Sequence, residues 1–129
     1  MQESWARVSL RVSLDVLSLG DVEGILGRST DLDAKGRPGV NWWKVDFYGE
    51  GYESLDSQLD LLAETIQMYR SGLIDLGRRA IDINVLIGWE PRRGQDSVGF
   101  DANLIAGLAE IGGRIILDTV TDDCEHVCE

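Results

Sequence analysis

Between residues 6 and 16 the chain alternates almost without fault. Ala6, Val8, Leu10, Val12, Leu14 and Val16 fall on one side of an extended backbone, and Arg7, Ser9, Arg11, Ser13 and Asp15 on the other. Such a strand has one apolar face that must be covered and one polar face that need not be. It demands a sheet, and a layer packed on one side of that sheet.

The rest of the chain supplies both. Ser18 and Asp21 have the spacing of a capping box, and Val22, Ile25 and Leu26 share a short helical face that ends at Gly27. Residues 28–39 are polar and rich in breakers, and read as a loop. A second strand over 40–48 sets Trp43, Val45 and Phe47 against Trp42, Lys44, Asp46 and Tyr48. Ser54 caps the longest helix, whose stripe of Leu55, Leu59, Leu62, Ile66, Tyr69 and Leu73 runs to about Leu76, with Gly77 as its stop. A third strand over 81–89 places Ile81, Ile83, Val85, Ile87 and Trp89 on one side and is expected at the centre of the sheet. A short strand over 97–100, a helix capped by Asp101 and carrying Leu104, Ile105, Leu108 and Ile111, and a last strand over 114–120 complete the order β-α-β-α-β-β-α-β. The expected fold is α+β: a single mixed, largely antiparallel sheet of about five strands with three helices mainly on one face.

A length of 129 residues with 43% hydrophobic residues suits one domain over 1–129, with an acidic flexible tail over about 119–129. No apolar run approaches the roughly 20 residues of a membrane span, and Met1-Gln2-Glu3-Ser4 lacks the start of a signal peptide. A cytoplasmic address is the expectation.

The net charge of −11 is unevenly placed. Asp46, Glu50, Glu53, Asp56, Asp60 and Glu64 lie in one stretch without a base, and Asp118, Asp122, Asp123, Glu125 and Glu129 in another. Outside these two stretches acids and bases balance. Phosphate binding needs a cationic footprint, so nucleic acid is excluded as a partner and a basic protein is favoured. Asp56, Asp60 and Glu64 recur every fourth residue and form an acidic ridge on the long helix.

Catalytic patterns are weak. The only histidine, His126, sits in the tail between Cys124 and Cys128, and a closed zinc site needs a fourth ligand of suitable geometry that the sequence does not supply. Neither a Gly-x-Gly-x-x-Gly nor a Walker pattern occurs, and Gly49-Glu50-Gly51 puts a carboxylate where a phosphate would approach. No metal and no cofactor are expected. Trp43 and Trp89 lie on apolar phases and read as core, whereas Trp42 shares the polar phase with Lys44, Asp46 and Tyr48, the composition of an interface anchor.

Across residues 6–118 the chain resembles the bacterial domain-of-unknown-function family 4279. The resemblance rests on Val8-Ser-Leu-Arg-Val12, Val22-Glu-Gly-Ile-Leu-Gly27, Lys35-Gly-Arg-Pro38, Trp42-Trp43, Trp89, Gly99-Phe100 and Ile115-Ile-Leu-Asp118. Arg28-Ser29-Thr30 departs from the Pro-Thr that family members commonly carry, and the cysteine-bearing tail is additional. The resemblance transfers no catalytic residue; it implies small cytosolic proteins akin to immunity proteins encoded beside bacterial toxins.

Taken with the charge pattern, the expectation is a non-enzymatic binding protein that neutralises a toxin by occluding its basic active-site region. Its contact residues would be Trp42, Tyr48, Glu50, Tyr52, Glu53, Asp56 and Asp60, joined by Asp122 and Asp123 from the tail. It would act as a monomer or a homodimer. The alternative is a small ligand-binding module or enzyme with a pocket between the sheet and the 28–39 loop, marked by converging Arg37, Arg92 or Arg93.

Overall fold

A computed structural model of the chain describes residues 5–31, 41–48, 54–90 and 98–119. The opening alternation is realised as β1 (Trp5–Ser13), followed by α1 (Leu19–Leu26), β2 (Trp42–Asp46), α2 (Leu55–Met68), α3 (Arg70–Arg78), β3 (Ile83–Glu90), α4 (Ala102–Ile111) and β4 (Gly113–Thr119). The strands form one mixed sheet in the order β2-β1-β3-β4. β1 pairs antiparallel with β2 and with β3, while β4 runs parallel to β3, a connection that α4 spans. β3 is an inner strand, as its apolar run predicts.

Among the described residues there are thus four strands and four helices, where about five and three were expected. Residues 98–100, expected in a short strand, carry none, and residue 97 lies outside the described residues. The single long helix is two: the chain breaks at Tyr69, whose φ of −108° and ψ of 21° leave the helical range. Hydrogen bonds from Tyr69 N to Thr65 O and from Leu73 N to Tyr69 O, both 3.0 Å, carry the ladder across the break. The kink falls just before Ser71-Gly72, a pair typical of such bends. A Cβ on Gly72 would lie 2.9 Å from both the Ile25 carbonyl oxygen and Leu26 Cδ2, so α3 can approach the end of α1 only without a side chain there.

Gly77 likewise does not stop the helix. It stays helical because its missing side chain lets α3 meet the Ile111 carbonyl of α4. The true stop is Ala80, with φ of 60°, in a Schellman arrangement: Ala80 N donates to Gly77 O at 3.0 Å and Ile81 N to Leu76 O at 3.2 Å. Leu76 and Ile81, the hydrophobic pair of that motif, are both buried. α1 follows its sequence signals closely. Ser18 and Asp21 form the reciprocal capping box, and Gly27 closes the helix in the left-handed region.

The apolar phases of the strands, including Val8, Leu10, Val12, Trp43, Val45, Ile83, Val85 and Ile87, join the buried sides of all four helices in one cluster. Full burial of a Leu or Ile side chain of this kind contributes about 1.5–3 kcal/mol. The helices therefore lie on one face of the sheet. No helix among the described residues is long and apolar enough to cross a membrane.

Two parts of the sheet margin are closed by side chains. β2 covers only the second half of β1, and the uncovered half is met by Gln58 of α2, fully buried on the otherwise apolar side of its helix. Gln58 Oε1 accepts from Val8 N and Gln58 Nε2 donates to Ala6 O, each at 2.9 Å, so one carboxamide does the work of a neighbouring strand. On the outer edge of β2, Thr30 Oγ1 accepts from Lys44 N at 3.0 Å and donates to Lys44 O at 3.2 Å. Asp31 N also donates to Lys44 O, and the Asp31 carboxylate accepts from Asp46 N.

Candidate functional site

Among the described residues no helix covers the other face of the sheet, and this helix-free face carries the polar phases of the strands, whose registers align them in rungs. Lys44 of β2, Arg11 of β1, Asn84 of β3 and Arg114 of β4 are direct neighbours across all four strands. The next rung is Asp46, Ser9, Leu86 and Ile116, and the one beyond it Arg7, Gly88 and Asp118. Three cations in one rung would repel one another without partners, and each has one. Lys44 pairs with Asp46 at 3.3 Å, and Asp46 also accepts from the Ser9 hydroxyl at 2.7 Å. Arg114 pairs with Asp82 at 3.2 Å. Arg11 donates from Nε to Asn84 Oδ1 at 2.9 Å, and its guanidinium lies 4.1 Å from the centroid of the Trp42 ring.

This network sets the charge states. The Arg114 hydrogen bond leads in holding the Asp82 carboxyl below its ordinary range, against the opposing effect of partial burial, with Asn84 and Arg11 adding to it. Burial pulls the Arg11 guanidinium down, Asp82 counters that and Arg114 adds to it. Such a guanidinium stays charged at any ordinary pH. Asn84 is fully buried in the midst of these groups.

At the other end of the face the Arg7 guanidinium lies 5.2 Å from the centroid of the Tyr48 ring. Trp42 and Tyr48 are thus both half-buried on the polar side of the sheet, as their phase predicts, and each has an arginine over its ring. Trp43 and Trp89 are buried in the core.

The acidic members of the expected site lie elsewhere. Asp56 and Asp60 stand exposed on α2, in the helical layer across the sheet from Trp42. Glu50, Tyr52, Glu53, Asp122 and Asp123 lie outside the described residues, as do Arg37, Arg92 and Arg93, which mark the alternative pocket, and Cys124, His126 and Cys128. The open face is itself nearly charge-balanced: Arg7, Arg11, Lys44 and Arg114 are matched by Asp46, Asp82, Glu90 and Asp118. Sequence reasoning missed the arginines that organise this surface. The signal was present, since Arg7 and Arg11 share the polar phase of β1 with Ser9 and Ser13.

An ion pair also lies in the helical layer, where Arg70 at the start of α3 binds Glu110 near the end of α4 and its hydrogen bond holds that carboxyl down. Both perturbed carboxylates, Asp82 and Glu110, are lowered by arginine partners and rest as ion pairs, the reverse of the raised pKa a general acid needs. Among the described residues no group of three His, Cys, Asp or Glu is placed to hold a metal ion.

No family model matches the chain, and neither a curated protein nor a solved structure matches it.

Proposed function

We propose that the chain is a non-catalytic binding protein that captures a protein partner, in the manner of an immunity protein covering the basic active-site region of a toxin. One observation carries this reading: Trp42 and Tyr48 stand on the helix-free face of the sheet, each under an arginine. Trp, Tyr and Arg are the residues that most often dominate binding energy at interfaces, and a ring already stacked on a guanidinium loses little freedom on docking. The exposed ridge of Asp56, Asp60 and Glu64 on α2 lies in the opposite layer, so it adds net negative charge that draws a cationic partner towards the molecule at long range and makes no contact at the Trp42 face.

The test is a kinetic binding measurement between the purified chain and the product of the reading frame adjacent to its gene. Trp42→Ala should speed dissociation about tenfold, corresponding to about 1.4 kcal/mol, with association nearly unchanged. Asp56→Lys with Asp60→Lys should instead slow association severalfold at low salt and flatten its salt dependence. Absence of binding, or binding indifferent to both variants, sinks the reading.

A further inference from the structure

The far side of the sheet differs from the margins that Gln58, Thr30 and Asp31 close. β4 is the last strand in the order, and among the described residues nothing hydrogen-bonds to its outer edge. Its residues are half-buried or exposed, and Leu117 is 45% exposed. A free strand edge with apolar side chains is a template for another strand.

The order of residues along β4 identifies the strand it fits. We propose that β4 pairs antiparallel with β4 of a second copy of this chain, about a two-fold axis through Ile116, joining two four-stranded sheets into one of eight. Residues opposite one another then have numbers placed symmetrically about 116. Arg114 faces the second copy's Asp118, Ile115 faces Leu117, and Ile116 faces Ile116, with each unlike pair made twice. Asp118 has no ion pair among the described residues, so it is available, and Arg114 would bridge its own Asp82 and the incoming carboxylate.

Other pairings fail on the same residues. A parallel, in-register pairing sets Arg114 against Arg114 and Asp118 against Asp118. An antiparallel pairing slipped to place Ile115 or Leu117 on the axis sets Ile116 opposite Arg114 or Asp118. Only the axis at Ile116 matches charge with charge and hydrocarbon with hydrocarbon. Opposite residues share a face in this register, so both helical layers lie on the same side and the two helix-free faces become continuous.

Pairing through one seven-residue strand buries less than the roughly 1,200–2,000 Å² of a standard stable interface, so the dimer is weak and concentration-dependent. The experiment is sedimentation equilibrium of the full chain across the micromolar to millimolar range, under reducing conditions, with two charge variants and their mixture. The wild type should dimerise. Asp118→Arg places like charges opposite each other and should be monomeric with an unchanged melting temperature, and Arg114→Asp should be monomeric too. An equimolar mixture of these two variants restores both unlike pairs and should form a heterodimer. A wild type that stays monomeric overturns the proposal and leaves the edge to a strand from another protein. A dimer that Asp118→Arg does not weaken, or variants that fail to recover on mixing, overturns it as well. Neither result bears on the Trp42 face, whose binding is measured separately.

Discussion

The two sides of the sheet solve the same problem in opposite ways. On the β2 side, side chains meet outward-facing backbone groups of both strands: the Gln58 carboxamide takes Val8 N–H and Ala6 C=O of β1, and the Thr30 hydroxyl with the Asp31 carboxylate takes Lys44 and Asp46 of β2. On the β4 side no such group appears among the described residues. The difference teaches that edge protection need not come from charge or proline along the strand. It can come from single polar residues on neighbouring elements, and its omission on one side then carries information.

The contrast can be broken most forcefully at Gln58. Gln58→Leu keeps the volume but strands Val8 N–H and Ala6 C=O in a buried setting, and should cost about 2–4 kcal/mol, read as a lower denaturant midpoint. Thr30→Val removes a less critical pair of contacts, because Asp31 N still reaches Lys44 O. A loss of about 1 kcal/mol is expected, with the Lys44 amide exchanging faster by NMR.

The Asp82–Arg114 pair offers a smaller effect with a defined sign. Asp82 is held below its ordinary pKa in the fold, so the pair stabilises the protein above the usual carboxylate value near 4 and loses that contribution as pH falls through the lowered one. Asp82→Asn should therefore flatten the acid limb of a stability-against-pH curve below about pH 4. Its amplitude should stay under about 1 kcal/mol, because the Arg114 side chain is 62% exposed. On the edge of the monomer, at concentrations too low for β4 to pair, Leu117→Thr should change stability by less than about 0.5 kcal/mol, since the site is already half in water and threonine suits a strand. A cost of 2 kcal/mol there would mean that the edge is covered.

Much of this architecture was legible in the sequence, for reasons that name its blind spots. Strict alternation fixed the faces of β1, β2 and β3, so Trp43 and Trp89 could be assigned to the core and Trp42 to the polar side. The capping box of Ser18 and Asp21 marked α1 because its chemistry is local. The kink at Tyr69 was invisible, since both α2 and α3 keep the same three-to-four spacing of apolar residues through it. Gly77 misled because glycine usually marks a stop, whereas here it serves a close approach and an alanine takes the left-handed position. For the candidate surface, phase placed Trp42 and Tyr48 correctly, but proximity in sequence suggested that Asp56 and Asp60 would join them. The chain instead crosses to the other layer before α2 begins.

The buried carboxamide of Gln58 has one donating end and one accepting end, so it senses direction as well as position. Rotating α2 by a single residue swings the group some 100° away from the strand, and sliding β1 by one residue exchanges the faces it presents. Either slip breaks both bonds at once. Gln58 therefore works as a key between helix and sheet: glutamate would push against the Ala6 carbonyl, asparagine falls short, and neither can turn the lock.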